Sequence, residues 1–264
     1  QVFEKYTDIE AVIHFAASKA VNESVEQPLK YYRNNLLSLI TLLEQMQAHN
    51  VHHIVFSSSC TVYGQPSEEH LPVDETAPIQ MALSPYGNTK QINEEIIVDT
   101  INSGSPISSV ILRYFNPIGA HKSGLIGENP RGIPNNLLPY VAKVAAGQLP
   151  YLSVFGNDYP THDGTGVRDY IHVVDLAHAH LAALDRAISV SGTEYYNVAT
   201  GVGYSVLDIV KAFEAASGKK VPYVIDPRRP GDIAECYADP KKAREVLSRS
   251  AKKNSDDMCR DTWN

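Results

Sequence analysis

The sequence predicts an α/β protein with a doubly wound parallel sheet and a smaller lobe towards its C-terminus. Between residues 11 and 116, short apolar segments alternate with longer segments whose apolar residues recur at helical spacing. This alternation is typical of parallel sheets with helices on both faces. After Asn116 the chain becomes rich in Gly and Pro, and its elements become shorter. We therefore expect residues 1–116 to form the sheet domain and residues 117–264 mainly the lobe, with about 169–200 returning to the sheet.

The first half contains three short apolar segments with the length and composition of buried parallel strands, at 11–17, 53–58 and 107–114. A long helix with an apolar spine is expected over 29–49, next to Pro28. A second helix is expected from Pro85 to Asn102. Proline suits the first turn of a helix, because the N–H that it lacks would have no partner there.

The second half is expected to fold into shorter elements separated by polar loops. Ser205 caps one of its helices and Gly218 ends it, since a serine oxygen can accept from the first turn and glycine tolerates a left-handed C-terminus. The expected helices cover 136–146, 173–188 and 205–217, with two more beginning near Asp239 and Ser255, and the expected strands cover 151–155, 194–198 and 221–225.

Composition and charge argue against several classes of partner. The net charge is −7 and no run of Lys or Arg forms a stripe, which disfavours a nucleic acid or an anionic membrane as partner. No apolar run reaches the ~18 residues that a membrane span needs. Cys60, Cys236 and Cys259 are far apart and lack metal-ligand spacing. We therefore expect reduced thiols, a cytoplasmic location and no metal site.

Tyr86 and Lys90 stand one helical turn apart at the start of the 85–102 helix. A cation beside a phenol favours the phenolate, so Lys90 is expected to lower the Tyr86 pKa from its usual value near ~10. The spacing by itself is weak evidence, because Tyr237 and Lys241 share it, although Pro240 lies between them.

The residues expected around Tyr86 strengthen the prediction that it is a catalytic residue. Ser59 follows the strand before this helix, and Asn116 follows the next strand. Ligands of open parallel sheets lie beyond the carboxyl ends of the strands, so these side chains are expected to converge. A hydroxyl, a phenol and an ammonium suit proton transfer to and from a substrate hydroxyl. Oxidation of that alcohol would also need a hydride acceptor, which implies a nicotinamide cofactor.

The Ser59 and Tyr-x-x-x-Lys pattern resembles the extended short-chain dehydrogenase/reductase superfamily, and more narrowly its UDP-galactose 4-epimerase family. That resemblance implies a Rossmann-like sheet, NAD as cofactor and a UDP-hexose as substrate. Long collinear segments carry the similarity, at 12–21, 56–64, 112–121, 132–137 and 164–176.

The resemblance implies interconversion of UDP-galactose and UDP-glucose in galactose metabolism. Tyr86 would take the proton of the 4-hydroxyl while hydride passes to NAD, and hydride would return to the other face of the turned sugar. Lys90 would depress the Tyr86 pKa and hold the nicotinamide ribose, while Ser59 would hydrogen-bond the 4-oxygen. Cys236 matches a position near sugar carbon 2, where a small side chain would also admit UDP-N-acetylhexosamines.

The resemblance also implies two sets of binding residues. Two arginines suit a pyrophosphate, an aspartate suits a ribose diol, and a phenylalanine can pack on uracil. The alternative for Arg168 is that it only pairs with Asp169 or Asp163. The implied cofactor residues are Phe15, Ala16, Lys19, Asn34, Ser57, Tyr86, Lys90 and Tyr114. The implied substrate residues are Ser59, Asn116, Asn136, Leu137, Phe155, Arg168, Arg229, Asp232 and Cys236.

Two departures from the superfamily pattern bear on the reaction. Related sugar dehydratases have an Asp–Glu pair where this chain has Cys60 and Thr61, which favours an epimerase. The chain also has no Gly-x-x-Gly-x-x-Gly turn, which in this fold binds the dinucleotide pyrophosphate. Relative to the usual fold, roughly 60–80 residues of first strand, helix and second strand are expected to be missing.

Two further expectations follow. We expect the 264-residue chain to bind NAD weakly, and the alternative function is a non-catalytic fragment or pseudoenzyme that at most binds UDP-sugar. The resemblance also implies a homodimer through the helices at 29–49 and 85–102.

Overall fold

The structure, a computed structural model, describes residues 1–130, 132, 134–229, 232–248 and 250–264. The α/β architecture expected from the sequence is confirmed. In chain order the helices and strands are α1 (Val2–Lys5), β1 (Ala11–His14), α2 (Val21–Glu26), α3 (Pro28–Ala48), β2 (His53–Ser57), α4 (Pro85–Asn102), β3 (Ser108–Tyr114), β4 (Asn116–Ile118), α5 (Leu137–Ala145), β5 (Leu152–Phe155), β6 (Val167–His172), α6 (Val173–Ser189), β7 (Thr193–Val198), β8 (Gly203–Ser205), α7 (Val206–Ser217), β9 (Tyr223–Asp226), β10 (Glu235–Cys236), α8 (Lys241–Val246) and α9 (Ser255–Trp263).

One four-stranded sheet is parallel throughout and has the strand order β1-β2-β3-β7. Alternate residues of its central strands enter two different cores, because successive side chains of a strand point to opposite faces. Ile54, Phe56 and Ile111 pack with apolar residues of α3 and α4, whereas Val55 and Leu112 pack with α6. The sheet is thus covered by helices on both faces, as in a doubly wound fold.

The remaining strands form the lobe. Strands β10, β6 and β4 pair in parallel, and β8 pairs antiparallel with β6. Strands β5 and β9 form a separate parallel pair. The lobe core lies between these strands and helices α5, α7 and α9, with Leu138, Val141, Val154, Phe213 and Met258 among its buried residues.

The chain crosses from the sheet to the lobe through one residue. Tyr114 ends β3 and Asn116 begins β4, with buried Phe115 between them. β4 was not expected from the sequence, because three residues that include Pro117 are too short to show a strand pattern. The crossing places the start of the lobe directly beside the carboxyl end of β3.

Helix boundaries follow the sequence signals more closely than strand boundaries do. The Ser205 hydroxyl accepts from Asp208 N in a capping box, and Gly218 ends α7 with a φ of 66°. The first strand is shorter than the expected 11–17 and ends at His14. Ser18 N donates to Asn35 Oδ1 at 2.8 Å, which directs the chain after His14 towards α3 instead of along the sheet. Among the described residues, no helix has the length and apolarity that crossing a membrane would require.

Candidate active site

The start of α4 sets the positions of Tyr86 and Lys90. The Ser84 hydroxyl caps this helix by accepting from Gly87 N at 3.1 Å, and Pro85 occupies its first turn. Lys90 is only 4% exposed, and its Nζ donates to the Ser57 carbonyl oxygen at 2.5 Å. The same Nζ lies 5.9 Å from the centroid of the Tyr86 ring. The first turns of α4 are therefore docked on the carboxyl end of β2.

Ser57 and Ser59 lie at the same end of β2 on either side of buried Ser58. The Ser57 hydroxyl and the Tyr114 hydroxyl are 2.9 Å apart, which joins the ends of β2 and β3. Ser59 is buried, its hydroxyl accepts from Thr61 N at 3.3 Å, and it lies near enough to Tyr86 to lower the pKa of the phenol. The structure thus brings together the three residues expected to carry the chemistry, namely Ser59, Tyr86 and Lys90.

Burial has the largest effect on the pKa values of Tyr86 and Lys90. It raises the pKa of Tyr86 above its usual value, and the nearby Tyr114 raises it further, while Ser59 lowers it. Burial also lowers the pKa of Lys90 to about 8, although the Glu94 carboxylate opposes this shift. The expected lowering of the Tyr86 pKa by Lys90 is therefore wrong for this structure. The physical reason is that desolvation of the partly buried Tyr86 disfavours the charged phenolate, and the Lys90 ammonium, 5.9 Å from the ring centroid, does not offset this effect.

The expected cofactor residues line an open surface beyond the carboxyl ends of β1, β2 and β3. The exposed Phe15 ring lies 4.7 Å from the His180 ring, and Tyr114 lies 5.8 Å from it on the other side. The His180 Nε2 atom is buried and has no hydrogen-bond partner among the described residues. Aromatic faces, an orphaned polar nitrogen and the Lys90 ammonium suit a nicotinamide nucleoside, so the residues at these strand ends fit that half of NAD.

The other expected cofactor residues lie at the edge of this surface. Ala16 and Lys19 are exposed, and Asn34 donates from Nδ2 to the Ser18 hydroxyl at 3.1 Å. Lys19 Nζ lies 3.6 Å from Glu128 Oε1, and Asn136 Nδ2 donates to the same oxygen at 3.4 Å. Glu128 therefore links a residue expected to hold the cofactor with one expected to hold the substrate.

Three of the expected substrate residues meet at the end of β5. The guanidinium carbon of Arg229 lies 4.5 Å from the Phe155 ring centroid, and Arg229 Nε donates to Asp232 Oδ2 at 2.9 Å. Asn136 and Leu137 begin α5, and Asn116 begins β4 with its side chain exposed.

Arg168 takes part in no salt bridge among the described residues. It donates to the carbonyl oxygens of Val167 and Ala234, and it forms no ion pair with any described residue. Asp169 instead accepts from the backbone N–H groups of Thr200 and Gly201, and Asp163 accepts from the hydroxyls of Thr165 and Ser205. The alternative in which Arg168 only pairs with Asp169 or Asp163 is therefore wrong.

Cys60 and Cys236 connect the two halves of the site. Both pack in the buried cluster that contains Phe115, and Cys236 lies in register with Arg168 across β10 and β6. Cys236 lowers the pKa of Cys60 by hydrogen bonding, and Arg168 lowers it further, against the effect of burial. Cys60, next to Ser59, and Cys236, in register with Arg168, therefore pack in the same buried cluster. Cys60 and Thr61 occupy the two positions at which the related sugar dehydratases have an Asp–Glu pair, and neither is a carboxylic acid.

Two buried polar residues next to the candidate site, Asn35 and Glu94, were not predicted from the sequence. Asn35 is buried and donates from Nδ2 to Thr89 Oγ1 and to the Ser18 carbonyl oxygen, both at 3.0 Å, so it ties α3 to the turn of α4 that carries Lys90. Glu94 is buried one turn beyond Lys90. The signal that could have found them is a polar residue on an otherwise apolar helical stripe, since Asn35 continues the spacing of Leu39.

Comparison with known proteins agrees with this geometry. The GDP-mannose 4,6 dehydratase family model matches residues 1–262. The chain is 58% identical to UDP-glucose 4-epimerase of Bacillus subtilis over 97% of its length, and 56% identical to the human UDP-glucose 4-epimerase over all of it. It covers 75% of each of these proteins.

Solved structures give the same result. A UDP-glucose 4-epimerase from Bifidobacterium longum, in complex with NAD+ and UDP, superimposes with a TM-score of 0.95 and is 53% identical. That alignment covers 99% of this chain and 77% of the other. A UDP-glucose 4-epimerase from Stenotrophomonas maltophila, with bound NAD and formylated UDP-arabinopyranose, gives a TM-score of 0.94 at 50% identity. The chain therefore belongs to the UDP-glucose 4-epimerase family.

Proposed function

We propose that this protein is an isomerase that interconverts UDP-galactose and UDP-glucose by transient oxidation at sugar carbon 4. The observation that carries the proposal is the convergence of Ser59, Tyr86 and Lys90 at the end of β2, facing Arg168 across the Cys60–Cys236 contact. Family members include structures described with NAD and with UDP or a UDP-sugar. A base, a cofactor surface and a cation for a diphosphate are the parts that this reaction requires.

The cofactor would be held at the carboxyl ends of β1, β2 and β3. Phe15, Ser57, Lys90 and Tyr114 would contact its nicotinamide nucleoside half, while Lys19, Asn34 and Ala16 border the surface beyond. NAD supplies the hydride acceptor that side chains lack and, in its oxidised form, a positive charge. Ser59 orients the 4-oxygen of the sugar, and Tyr86 exchanges the proton of the 4-hydroxyl. Because burial raises the pKa of Tyr86, a nearby positive charge would lower that pKa again and favour the phenolate, the form of Tyr86 that accepts the proton of the 4-hydroxyl.

The UDP-sugar would be held by the lobe. Arg168 and Arg229 offer guanidinium groups for the diphosphate oxygens, which accept bidentate hydrogen bonds. Phe155 packs against Arg229 and offers a face for the uracil, while Asp232 offers a carboxylate to the ribose hydroxyls. Asn116, Asn136 and Leu137 lie around the opening through which the sugar reaches Ser59.

The direct test is conversion of purified UDP-galactose by the purified protein, with UDP-glucose measured by anion-exchange chromatography. Because the 264 residues contain no Gly-x-x-Gly-x-x-Gly turn, the reaction is run with NAD in excess and without added NAD. Appearance of UDP-glucose from UDP-galactose, and the reverse reaction, support the proposal. Calorimetric binding of UDP-galactose without any conversion at saturating NAD would instead support a non-catalytic UDP-sugar-binding protein.

The small side chain of Cys236 leads to a prediction about substrate range. Cys236 is buried beside Arg168, and a sulfur atom leaves more room near sugar carbon 2 than an aromatic ring does. We expect wild type to epimerise UDP-N-acetylgalactosamine as well as UDP-galactose, and Cys236→Tyr to lose the first activity selectively. Rates with both sugars are measured on the same preparation, so that UDP-galactose turnover serves as the folding control. Equal rates of wild type and Cys236→Tyr on the N-acetylated sugar would contradict the prediction.

We also propose that the protein is a cytoplasmic homodimer. The three cysteines are free thiols, which supports a reducing compartment. Helices α3 and α4 pack side by side, and α3 leaves Leu29 and Leu37 exposed to solvent. Apolar side chains on a helix pair favour pairing with a second copy around a two-fold axis. Sedimentation velocity over a range of concentrations tests this, since a species of twice 29.0 kDa is expected.

A further inference from the structure

A buried ion pair lies directly behind the candidate catalytic group. Glu94 on α4 is 6% exposed and Arg113 on β3 is 5% exposed. Arg113 donates from Nε to Glu94 Oε1 at 3.0 Å and from Nη2 to Glu94 Oε2 at 2.5 Å. The Ser58 hydroxyl donates to Glu94 Oε1 at 2.5 Å. The function proposed above uses neither of these charged residues.

The end of β2 is held to α4 by three consecutive serines. The Ser57 carbonyl oxygen accepts from Lys90 Nζ, the Ser58 hydroxyl donates to Glu94, and Ser59 interacts with Tyr86. Since Lys90 and Glu94 are one helical turn apart on the same helix, both are placed by the same short segment of β2. The register of this contact therefore determines where the Lys90 ammonium lies.

We propose that Glu94 is a positioning residue for the reaction, whose carboxylate, itself held by Arg113 and Ser58, keeps Lys90 charged and docked on the end of β2. The inference rests on the proposed function, because Lys90 matters for catalysis only if this site is the active site. It assigns a role in the reaction to a carboxylate that contacts neither Tyr86 nor Ser59 in the structure.

The electrostatic argument follows from burial. Lys90 has lost most of its hydration, and burial lowers its pKa to about 8, while the Glu94 carboxylate raises it. In Glu94→Gln the attraction is lost, and the buried Arg113 becomes a cation without a carboxylate partner. The loss of this negative charge, with the Arg113 cation still in place, disfavours the charged form of Lys90, so Lys90 should lose its proton at a lower pH. If Glu94 only joined α4 to β3, Glu94→Gln would lower the stability of the protein without changing the pKa of Lys90.

The other titratable groups facing Lys90 do not titrate near pH 8. His14 at the end of β1 has a pKa lowered to about 4 by burial and by the Lys90 charge. Burial raises the pKa of Tyr86 on α4 and of Tyr114 on β3. Arg113, the other cation on β3, remains charged throughout this range because the guanidinium is a very weak acid. A protonation step near pH 8 at this position can therefore be assigned to Lys90.

The experiment measures Lys90 directly and does not depend on turnover. The protein is labelled with [ε-13C]lysine, and the Lys90 signal is assigned by its loss in Lys90→Gln and followed by NMR from about pH 6 to 11, a range that includes the ordinary lysine pKa of ~10.4. We expect a wild-type midpoint near 8 and a midpoint at least about 1 pH unit lower in Glu94→Gln, a tenfold weaker hold on the proton. Glu94→Asp should recover most of the wild-type midpoint. The matched control is Glu95→Gln, which removes the same charge from an exposed neighbouring position and should change nothing.

The kinetic readout is the alkaline limb of the kcat–pH profile with UDP-galactose, which should move to lower pH with the NMR midpoint. If Glu94→Gln is too unstable to study, Glu94→Gln/Arg113→Gln removes both buried charges together, and its Lys90 midpoint should still lie below that of wild type.

An unchanged Lys90 midpoint in the folded variants would overturn the proposal, as would an equal shift in Glu95→Gln. A shifted midpoint in a protein that converts no UDP-sugar would reject the proposed function while retaining the effect of Glu94 on Lys90.

Discussion

Replacing Tyr86 with Phe is expected to reduce kcat for UDP-galactose by at least about 10³-fold, within the range that a positioned acid–base group contributes. The phenol is the group of the site that can exchange a proton with the 4-hydroxyl, and phenylalanine keeps the ring while removing the hydroxyl. The ring should still pack beside Ser59 and Lys90, so KM for UDP-galactose should change little. The measurement is steady-state conversion at saturating NAD, together with single-turnover reduction of NAD followed by absorbance.

The chain contains its own control for this substitution. Tyr237 stands four residues before Lys241, as Tyr86 does before Lys90, but it lies after β10 and outside the start of a helix. Tyr237→Phe should keep wild-type kcat. If Tyr86→Phe also kept it while remaining folded, the role given to Tyr86 would be wrong, whatever cofactor is bound.

Replacing Arg168 with Met is expected to weaken binding of UDP by about 100-fold, which corresponds to about 2.7 kcal/mol. Its guanidinium has no carboxylate partner among the described residues, so it remains available to pair with a diphosphate. Methionine keeps an apolar stem of similar length, which limits the loss of packing. The measurement is isothermal titration of UDP into wild type and variant.

Arg228→Met is the matched control for this prediction. Arg228 is also an arginine near the opening, but its guanidinium is already bound by Asp158 and stacked over Tyr159 at 4.0 Å. It should therefore change UDP affinity little. Because Arg168 also donates to the carbonyl oxygen of Ala234, thermal unfolding of both variants shows whether β10 stays in place. An unchanged affinity for UDP in a folded Arg168→Met would remove Arg168 from the binding site.

Local patterns were sufficient for much of the fold. The apolar spine of α3 with Pro28, the Ser84–Pro85 start of α4 and the Ser205 cap of α7 are short-range signals, and each stands in the structure where the sequence placed it. Buried strands also follow from composition, because strands covered on both faces are apolar throughout. Strand ends and short strands such as β4 were missed, since they depend on which neighbouring strand is available for pairing and not on local sequence.

The candidate site, like the fold, has features that the sequence predicted and features that only the tertiary structure shows. The sequence by itself was enough to predict Ser59, Tyr86 and Lys90 as the residues of the chemistry, because they follow a predicted strand or begin the next helix, and its resemblance to a known family was enough to predict the two arginines. Only the tertiary structure decided that Arg168 avoids its neighbouring carboxylates and that Glu94, one helical turn beyond Lys90, pairs with Arg113. It also reversed the expected direction of the Tyr86 pKa. These features depend on how far each side chain is buried from water and on which residues, distant in sequence, lie beside it in the fold. Both are properties of the packed chain and not of residue spacing.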